Sequence, residues 1–230
     1  MHKKLILQLE TATTMCSVAL ACNGEVLAVE EMNERNIHAS KITLFIDEVM
    51  KVAGKSYEEL DAISISKGPG SYTGLRIGVS TAKGLCYALD IPLISVDTLE
   101  AMAAGVLENH PGISSDTLLC PMIDARRMEV YTAIFDTNLN PIEDVKAKIL
   151  DEQTFDKYLT EKPMVFFGDG AGKSQKLYAS SDNYIFMEFE NSATHLSAIS
   201  LRKLIDGDTE NMAYFEPFYL KDFIPGIASK

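Results

Sequence analysis

The sequence predicts an α/β protein made of two successive lobes built to one plan, and three observations predict it. Apolar runs with strand character alternate with segments of helical periodicity, an order that pairs strands in parallel between covering helices. The order strand, strand, strand, helix, strand, helix occurs twice along the 230 residues. Each copy opens on a strand that ends in an acid, Glu10 in the first and Asp124 in the second.

The first copy begins with three adjacent strands, Leu5 to Glu10, Cys16 to Ala21 and Glu25 to Glu31, the last entered through the hairpin pair Asn23-Gly24. Ile42, Phe45, Ile46, Val49, Met50 and Ala53 then fall at the i, i+3, i+4, i+7, i+8, i+11 spacing of an amphipathic helix, which Gly54 ends. Ala62 to Ser66 is a short strand, Ser71 to about Leu89 a helix, and Ile91 to Val96 a strand. In the second copy Thr117 to Asp124, Glu129 to Phe135 and Pro141 to Leu150 supply three strands. A helix around Thr154 to Leu159, a strand at Met164 to Phe167 and a helix after Gly170 follow. Two such lobes facing a cleft are the plan of the actin, sugar-kinase and Hsp70 superfamily, an ASKHA or ribonuclease H-like duplicated fold. The lobe boundary is expected between 103 and 104, giving lobes 1–103 and 104–230.

Composition sets the outer bounds. With 47% hydrophobic and 23% charged residues the chain can bury a sizeable core. Lys and Arg total 21 against 33 Asp and Glu, a formal net charge of −12, which opposes strong direct binding to a phosphate polyanion. Cys16, Cys22, Cys86 and Cys120 sit in apolar surroundings with no C-x-x-C pair, so they read as free buried thiols of a reducing cytosol. The opening Lys3-Lys4 is followed by an apolar run too short for export, and no segment approaches membrane-spanning length, so a cytoplasmic location is expected.

The most informative stretch is Ser66-Lys67-Gly68-Pro69-Gly70-Ser71-Tyr72-Thr73-Gly74-Leu75-Arg76-Ile77-Gly78, which lies between a strand and a helix that Ser71 or Thr73 can cap. Its glycines can leave amide N–H groups free at a positive helix end, as an anion cradle would need. It is not a Walker loop, since no Gly-Lys-Ser/Thr closes it, and Thr73 stands where G-x-G-x-x-G needs its third glycine. A tight strand-to-helix turn is the alternative.

This run, continued through Ala82-Lys83-Gly84 to Ile91-Pro92-Leu93, resembles the TsaB and TsaD family, once named glycoproteases. Asp124-Ala125-Arg126-Arg127 with Glu129-Val130-Tyr131, the segment Gly168-Asp169-Gly170-Ala171, and Pro217 with Tyr219-Leu220 are similar to TsaB landmarks, so the resemblance spans nearly the whole chain. TsaD proteins hold a metal chiefly with two histidines just after the strand that follows the glycine motif. Here that stretch reads Asp97-Thr98-Leu99-Glu100-Ala101-Met102, placing Thr98 and Met102 where the imidazoles would be, and a hydroxyl and a thioether replace them poorly. His2, His38, His110 and His195 are scattered without ligand spacing. The resemblance therefore implies TsaB: a noncatalytic partner and activator, without metal or cofactor, in the assembly that makes threonylcarbamoyladenosine at position 37 of tRNA. Its implied partners are TsaD and, through it, the ATPase TsaE, with a homodimer when alone and tRNA reached only through the complex.

Two other classes are weighed on the residues. An actin-like ATPase or kinase would hold phosphate in glycine-containing hairpins after the first strand of each lobe. The candidates here, Glu10-Thr11-Ala12-Thr13-Thr14 and Asp124-Ala125-Arg126-Arg127-Met128, have no glycine, so Glu10, Thr11, Asp124 and Arg126 read as a degenerate site. A peptidase, as the old family name suggests, needs a nucleophile beside a base or a metal-bound water, and no Ser-His-Asp set assembles; Ser40 and His38, two apart, do not face one another on a helix.

Gly74, Gly78 and Ala82 recur at i, i+4 and i+8 on one face of the helix after the glycine motif. Such a stripe admits a close neighbour, either the chain's own sheet and the Ile42 to Ala53 helix or a partner. The resemblance implies that the first two helices build both the homodimer and the TsaD contact, so Ile42, Phe45, Ile46, Tyr72, Gly74, Leu75, Gly78 and Ala82 are the expected interface residues. Five aromatics crowd Tyr214 to Phe223, a segment expected to dock back on its own fold or to anchor a partner.

Overall fold

A computed structural model describes residues 3–159, 162–178 and 183–221. The N-terminal half forms a five-stranded sheet in the order β3-β2-β1-β4-β5, from β1 (Leu5–Glu10), β2 (Met15–Cys22), β3 (Glu25–Asn33), β4 (Ala62–Ser66) and β5 (Leu93–Val96). The first three pair antiparallel and β1, β4 and β5 parallel, with Leu9 opposite Val18 and Leu7 opposite Ile63. The second sheet, β10-β9-β6-β7-β8, repeats this order with β6 (Leu118–Asp124), β7 (Glu129–Phe135), β8 (Pro141–Ile149), β9 (Met164–Phe167) and β10 (Tyr184–Met187). The α/β duplicated fold expected from the element order is present, and Glu10 and Asp124 end equivalent strands.

Alternation along the strands decides which helices cover which face. Leu5, Leu7 and Leu9 turn toward α1 (His38–Val52) and α2 (Tyr72–Leu89), joining Ile42, Ile46, Val49 and Val79 in one core. Ile6 and its neighbours Ala62 and Ile94 turn the other way, toward Leu201 and Leu204 of α6 (Ser197–Asp206). In the second lobe Leu118, Cys120 and Met122 face α4 (Asp156–Leu159) and α5 (Ala171–Tyr178) through the rings of Phe155, Phe166 and Tyr178. Leu119 and Ile123 face Leu99, Met102 and Val106 of α3 (Thr98–Asn109). The free thiols of Cys16, Cys86 and Cys120 are buried as expected, and the expectation is corrected at Cys22, the last residue of β2, which is half-buried.

The lobes therefore exchange helices, which sequence order alone does not reveal. α3 follows the first sheet in the chain but packs on the second, whereas α6 returns from the second lobe to cover the first sheet. Between them Ala101 and Ala104 meet Leu196 and Ile199. A cut between 103 and 104 falls inside α3, and the first sheet takes a covering helix from 197–206, where Leu201 and Leu204 meet Ile6 and Ile94. The chain after α6 runs on along the same lobe, Glu210 N–H donating to Leu93 O at 2.8 Å and Phe218 N–H to Lys67 O at 2.8 Å.

α2 lies close on the β1–β2 turn because it lacks side chains where the two meet. A Cβ on Gly74 would fall on the carbonyl oxygen of Thr11, and one on Gly78 would stand 2.9 Å from Ile65 Cδ1 and collide with the Thr11 hydroxyl. Gly84, on the same helix, faces open space, with nothing within 4 Å of an added Cβ. Gly74→Ala should therefore destabilise the protein by about 1–3 kcal/mol through overpacking. Gly84→Ala should stabilise it by about 1 kcal/mol through helix propensity. Urea unfolding of the two variants checks the pair, and shifts of the same sign would contradict it.

Candidate functional site

The two strand-end acids and the hairpins after them form the candidate site. Glu10, 1% exposed, accepts the Ala12 N–H on Oε1 at 2.6 Å. Burial raises its pKa from 4.5 to about 7, and the Ala12 bond pulls it only partly back. Asp124 is exposed; its Oδ1 accepts the Arg126 N–H at 2.6 Å and pairs with Lys173 at 2.9 Å. The Asp124 N–H is itself donated to Asp169 at 2.8 Å, and burial raises the Asp169 carboxyl above its ordinary range. Arg126 and Arg127 hold φ of 71° and 49°, the left-handed region a glycine would enter without strain.

The chemical consequence follows from charge. A phosphate loop works by offering unpaired backbone N–H groups to an anion. In both hairpins an amide that could do so already binds the protein's own carboxyl group, which an incoming phosphate would have to displace, at Asp124 against charge repulsion as well. The candidate residues Glu10, Thr11, Asp124 and Arg126 thus sit at equivalent places in the two lobes, with Glu10 and Asp124 each closing its own loop.

The glycine motif is filled in the same way. Ser71 caps α2, accepting the Gly74 N–H at 3.3 Å, and its own N–H goes to Ala12 O at 2.6 Å. A Cβ on Gly70 would lie 2.7 Å from Ala12 Cβ, and one on Gly68 would lie 2.7 Å from Phe218 O. The close approach these glycines allow is to the chain's own β1–β2 turn and C-terminal segment. That segment docks back as expected: the Tyr219 ring lies 4.8 Å from that of Tyr72, whereas Phe223 falls outside the described residues. Beside it opens a cavity of about 740 Å³ lined by Lys67, Asp97, Asp144, Glu210 and Phe215 to Tyr219. Four of its ten lining residues, Asp97, Asp144, Glu210 and Glu216, are acids, and burial raises the Asp97 carboxyl to about 6 although it caps α3 by accepting the Leu99 and Glu100 N–H groups.

Thr98 and Met102 are both committed to the fold. The Thr98 hydroxyl is 2.6 Å from Ser66 Oγ and accepts the Gly68 N–H at 3.1 Å, and Met102 is buried among the side chains between α3 and the second sheet. Among the described residues no three His, Cys, Asp or Glu side chains gather as metal ligands would.

Of the expected interface residues Tyr72 is half-buried, its ring beside Tyr219 and Arg76, and the others face the chain's own fold. Ile42, Phe45, Ile46, Leu75, Gly78 and Ala82 are buried within the first lobe, and Gly74 lies against Thr11. The small-residue stripe faces inward, because the β1–β2 turn is the backbone it admits. Facing out on the same two helices are Leu44, Val52 and Tyr87, at 56%, 62% and 81% exposure, and Arg76, whose guanidinium stands 5.5 Å from the Tyr72 ring centre. Leu44 and Val52 are the apolar residues that fall off the helical stripe of α1, a signal present in the sequence that stripe-reading passes over.

Comparison with known proteins adds the family. The model of "TsaD: tRNA N6-adenosine threonylcarbamoyltransferase" matches residues 29–213. The Escherichia coli "tRNA threonylcarbamoyladenosine biosynthesis protein TsaB" is 30% identical over 227 residues, covering 94% of each chain. The Haemophilus influenzae protein of the same name is 37% identical over 131 residues, 57% of this chain and 53% of the relative, so that match spans about half the relative's length. Among solved structures, YeaZ from Pseudomonas aeruginosa superposes with a TM-score of 0.79 at 22% identity, covering 94% of this chain and all (100%) of that one. The activator of 2-hydroxyisocaproyl-CoA dehydratase from Clostridium difficile, with bound ADPNP, superposes at 0.53 and 8% identity, covering 90% and 97%, a likeness of fold alone.

The buried Glu10 carboxyl gives a pH test. Its folded pKa of about 7 lies above its ordinary 4.5, so between these values the folded protein binds more protons than the unfolded chain. Stability therefore falls as pH rises through that window, by about 3 kcal/mol in all for Glu10. Asp97, raised from 3.8 to about 6, adds a loss of the same sign. Glu10→Gln removes only the first contribution, so its urea midpoint should decline less between acid and neutral pH than that of the parent. Parallel declines would contradict the assignment.

Proposed function

We infer that this chain, which belongs to the tRNA N6-adenosine threonylcarbamoyltransferase family and within it to the TsaB proteins, serves tRNA threonylcarbamoyladenosine biosynthesis as a noncatalytic partner subunit. The observation that carries the noncatalytic role is the pair of self-closed hairpins: Glu10 on the Ala12 amide and Asp124 on the Arg126 amide. With Thr98 and Met102 tied into the fold, the described residues present neither an open phosphate loop nor an imidazole pair. Its contribution is then structural, as a surface that TsaD needs in order to act, with TsaE joining through TsaD. The net charge of −12 fits a subunit that meets tRNA through its partner and not by its own surface. No helix among the described residues is long and apolar enough to cross a membrane, and a place in tRNA modification fits the cytoplasm.

The contact surface we assign is the outer face of α1 and α2. Leu44, Val52 and Tyr87 project from adjacent helices whose inner faces are locked into the sheet. Exposed aliphatic and aromatic side chains beside Arg76 have the composition of interface anchors. The same face can pair two copies of the chain when TsaD is absent.

Reconstitution tests the role. Purified chain, TsaD, TsaE, tRNA and threonylcarbamoyl-adenylate should yield modified tRNA, and omission of this chain should abolish or strongly reduce it. Asp124→Asn should leave the yield unchanged, and a loss of turnover in that folded variant would favour an ATPase role. The surface has its own test: Leu44→Glu combined with Tyr87→Glu should weaken TsaD capture by about 2 kcal/mol or more, as loss of interface anchors does. Undiminished capture by the folded double variant would place the partner elsewhere.

A further inference from the structure

The four sheet edges of this protein are not treated alike. The outer edge of β5 is four residues long and is covered by the chain after α6, through the Glu210 N–H to Leu93 O bond. β10 is also four residues long. β8 is long but carries Pro141, Lys146 and Lys148, the residues with which soluble proteins blunt an edge. β3, nine residues from Glu25 to Asn33, is long and carries no Pro or Lys; its pairing with β2 shifts register between Leu20 and Ala21, a bulge that puts Leu27 out of step and leaves 28–33 as the regular part of the edge. Val26, Leu27, Val29 and Met32 are each between 37% and 43% exposed, and only Ala28 is buried, in the core that α1 covers. Among the described residues its backbone pairs with β2 alone, and no other hydrogen bond reaches its backbone.

The charge on this edge is of one sign. The strand carries Glu25, Glu30 and Glu31 and no Lys or Arg. Near its C-terminal end Glu31, whose Oε2 accepts the Ser17 and Ser192 hydroxyls at 3.0 and 2.9 Å, lines a cavity of about 350 Å³ together with Glu188 and Glu190, and Asn33 donates to Glu190 at 2.7 Å. An open, apolar strand edge that runs into an acidic pocket is complementary to an extended segment with alternating apolar and basic side chains. Main-chain hydrogen bonds supply affinity in such a pairing, and alternate side chains supply selection. A second copy of this chain fits poorly, since pairing β3 with itself sets glutamates against glutamates on a protein of net charge −12. RNA is disfavoured by the same charge.

We propose that β3 is a docking edge for an extended basic segment of another protein, which joins the first sheet as a sixth strand and directs its cationic side chains along the sheet face that carries Glu31, toward the pocket beyond. This surface is separate from the outer faces of α1 and α2, so both can be engaged at once. The probe is a fluorescein-labelled eight-residue peptide of alternating lysine and valine, titrated into the full chain by anisotropy at low salt. Two control peptides are run beside it: one with glutamate in place of lysine, and one with the same lysines but prolines at two valine positions.

The expected result has three parts. The basic peptide binds, and both controls and the Leu27→Lys variant bind about tenfold more weakly or worse, since a lysine on the strand blunts the edge. In hydrogen exchange the peptide protects amides within Glu25 to Asn33. Because position 27 is exposed, circular dichroism of the variant should match the parent. Equal binding of the proline-containing peptide would mean that charge alone acts and would overturn the proposal. So would absence of binding, or binding without protection in β3. Protection of β3 in concentrated chain without peptide, lost together with a dimer in Leu27→Lys, would overturn it in favour of a second copy.

Discussion

The N-terminal lobe depends on one close approach of backbone to backbone. The carbonyls of Thr11 and Ala12 lie against residues 70–78, and the Ser71 N–H to Ala12 O bond at 2.6 Å fastens them. Nothing larger than hydrogen fits at positions 70, 74 and 78, so these glycines set how near α2 can come to the first sheet. That distance decides the rest. It lets Leu75, Val79 and Ala82 reach the core, carries Gly68 under Phe218, and sets Tyr72 where Tyr219 stacks. The last stretch of the chain is thereby held by the same loop that holds the first turn.

The same contact determines what the candidate site can do. A glycine-rich loop at a helix start offers amides to an anion only if nothing else takes them. Here the β1–β2 turn occupies the loop, and within that turn Glu10 takes the Ala12 amide. The second lobe reaches a like result by other residues, with Asp124 and Asp169 on the amides and Lys173 balancing the charge. An actin-like framework is thus kept while the groups that would grip phosphate are turned inward. On the proposed reading, helix face and strand edge are the surfaces that serve function.

Much of the fold could be read from the residues because it rests on local periodicity. The six strands Leu5–Glu10, Met15–Cys22, Glu25–Asn33, Ala62–Ser66, Leu118–Asp124 and Glu129–Phe135 alternate or run apolar, and α1 and α2 carry clear stripes with Ser71 as a cap. What escaped reading is non-local. α3 is apolar on nearly all sides because it is wedged between two lobes, so it shows little stripe, and α6 is claimed by a sheet that begins nearly two hundred residues earlier. The glycine stripe was legible as a close-packing face, but sequence cannot say which backbone it meets. Burial of Ile42, Phe45 and Ile46 followed from their spacing, whereas outward Leu44 and Tyr87 carry no periodic signal of their own. Glu10 was visible as a strand-end acid; its closure onto Ala12 needed coordinates.

A noncatalytic partner subunit requires that the Ala12 and Arg126 amides stay taken, and the most direct measurement observes them. In ¹⁵N–¹H spectra of the isolated chain titrated with ATP and Mg²⁺, the Ala12 and Arg126 resonances should stay unchanged up to millimolar nucleotide. A saturable shift of both would show that the hairpins open to phosphate and would contradict a noncatalytic chain.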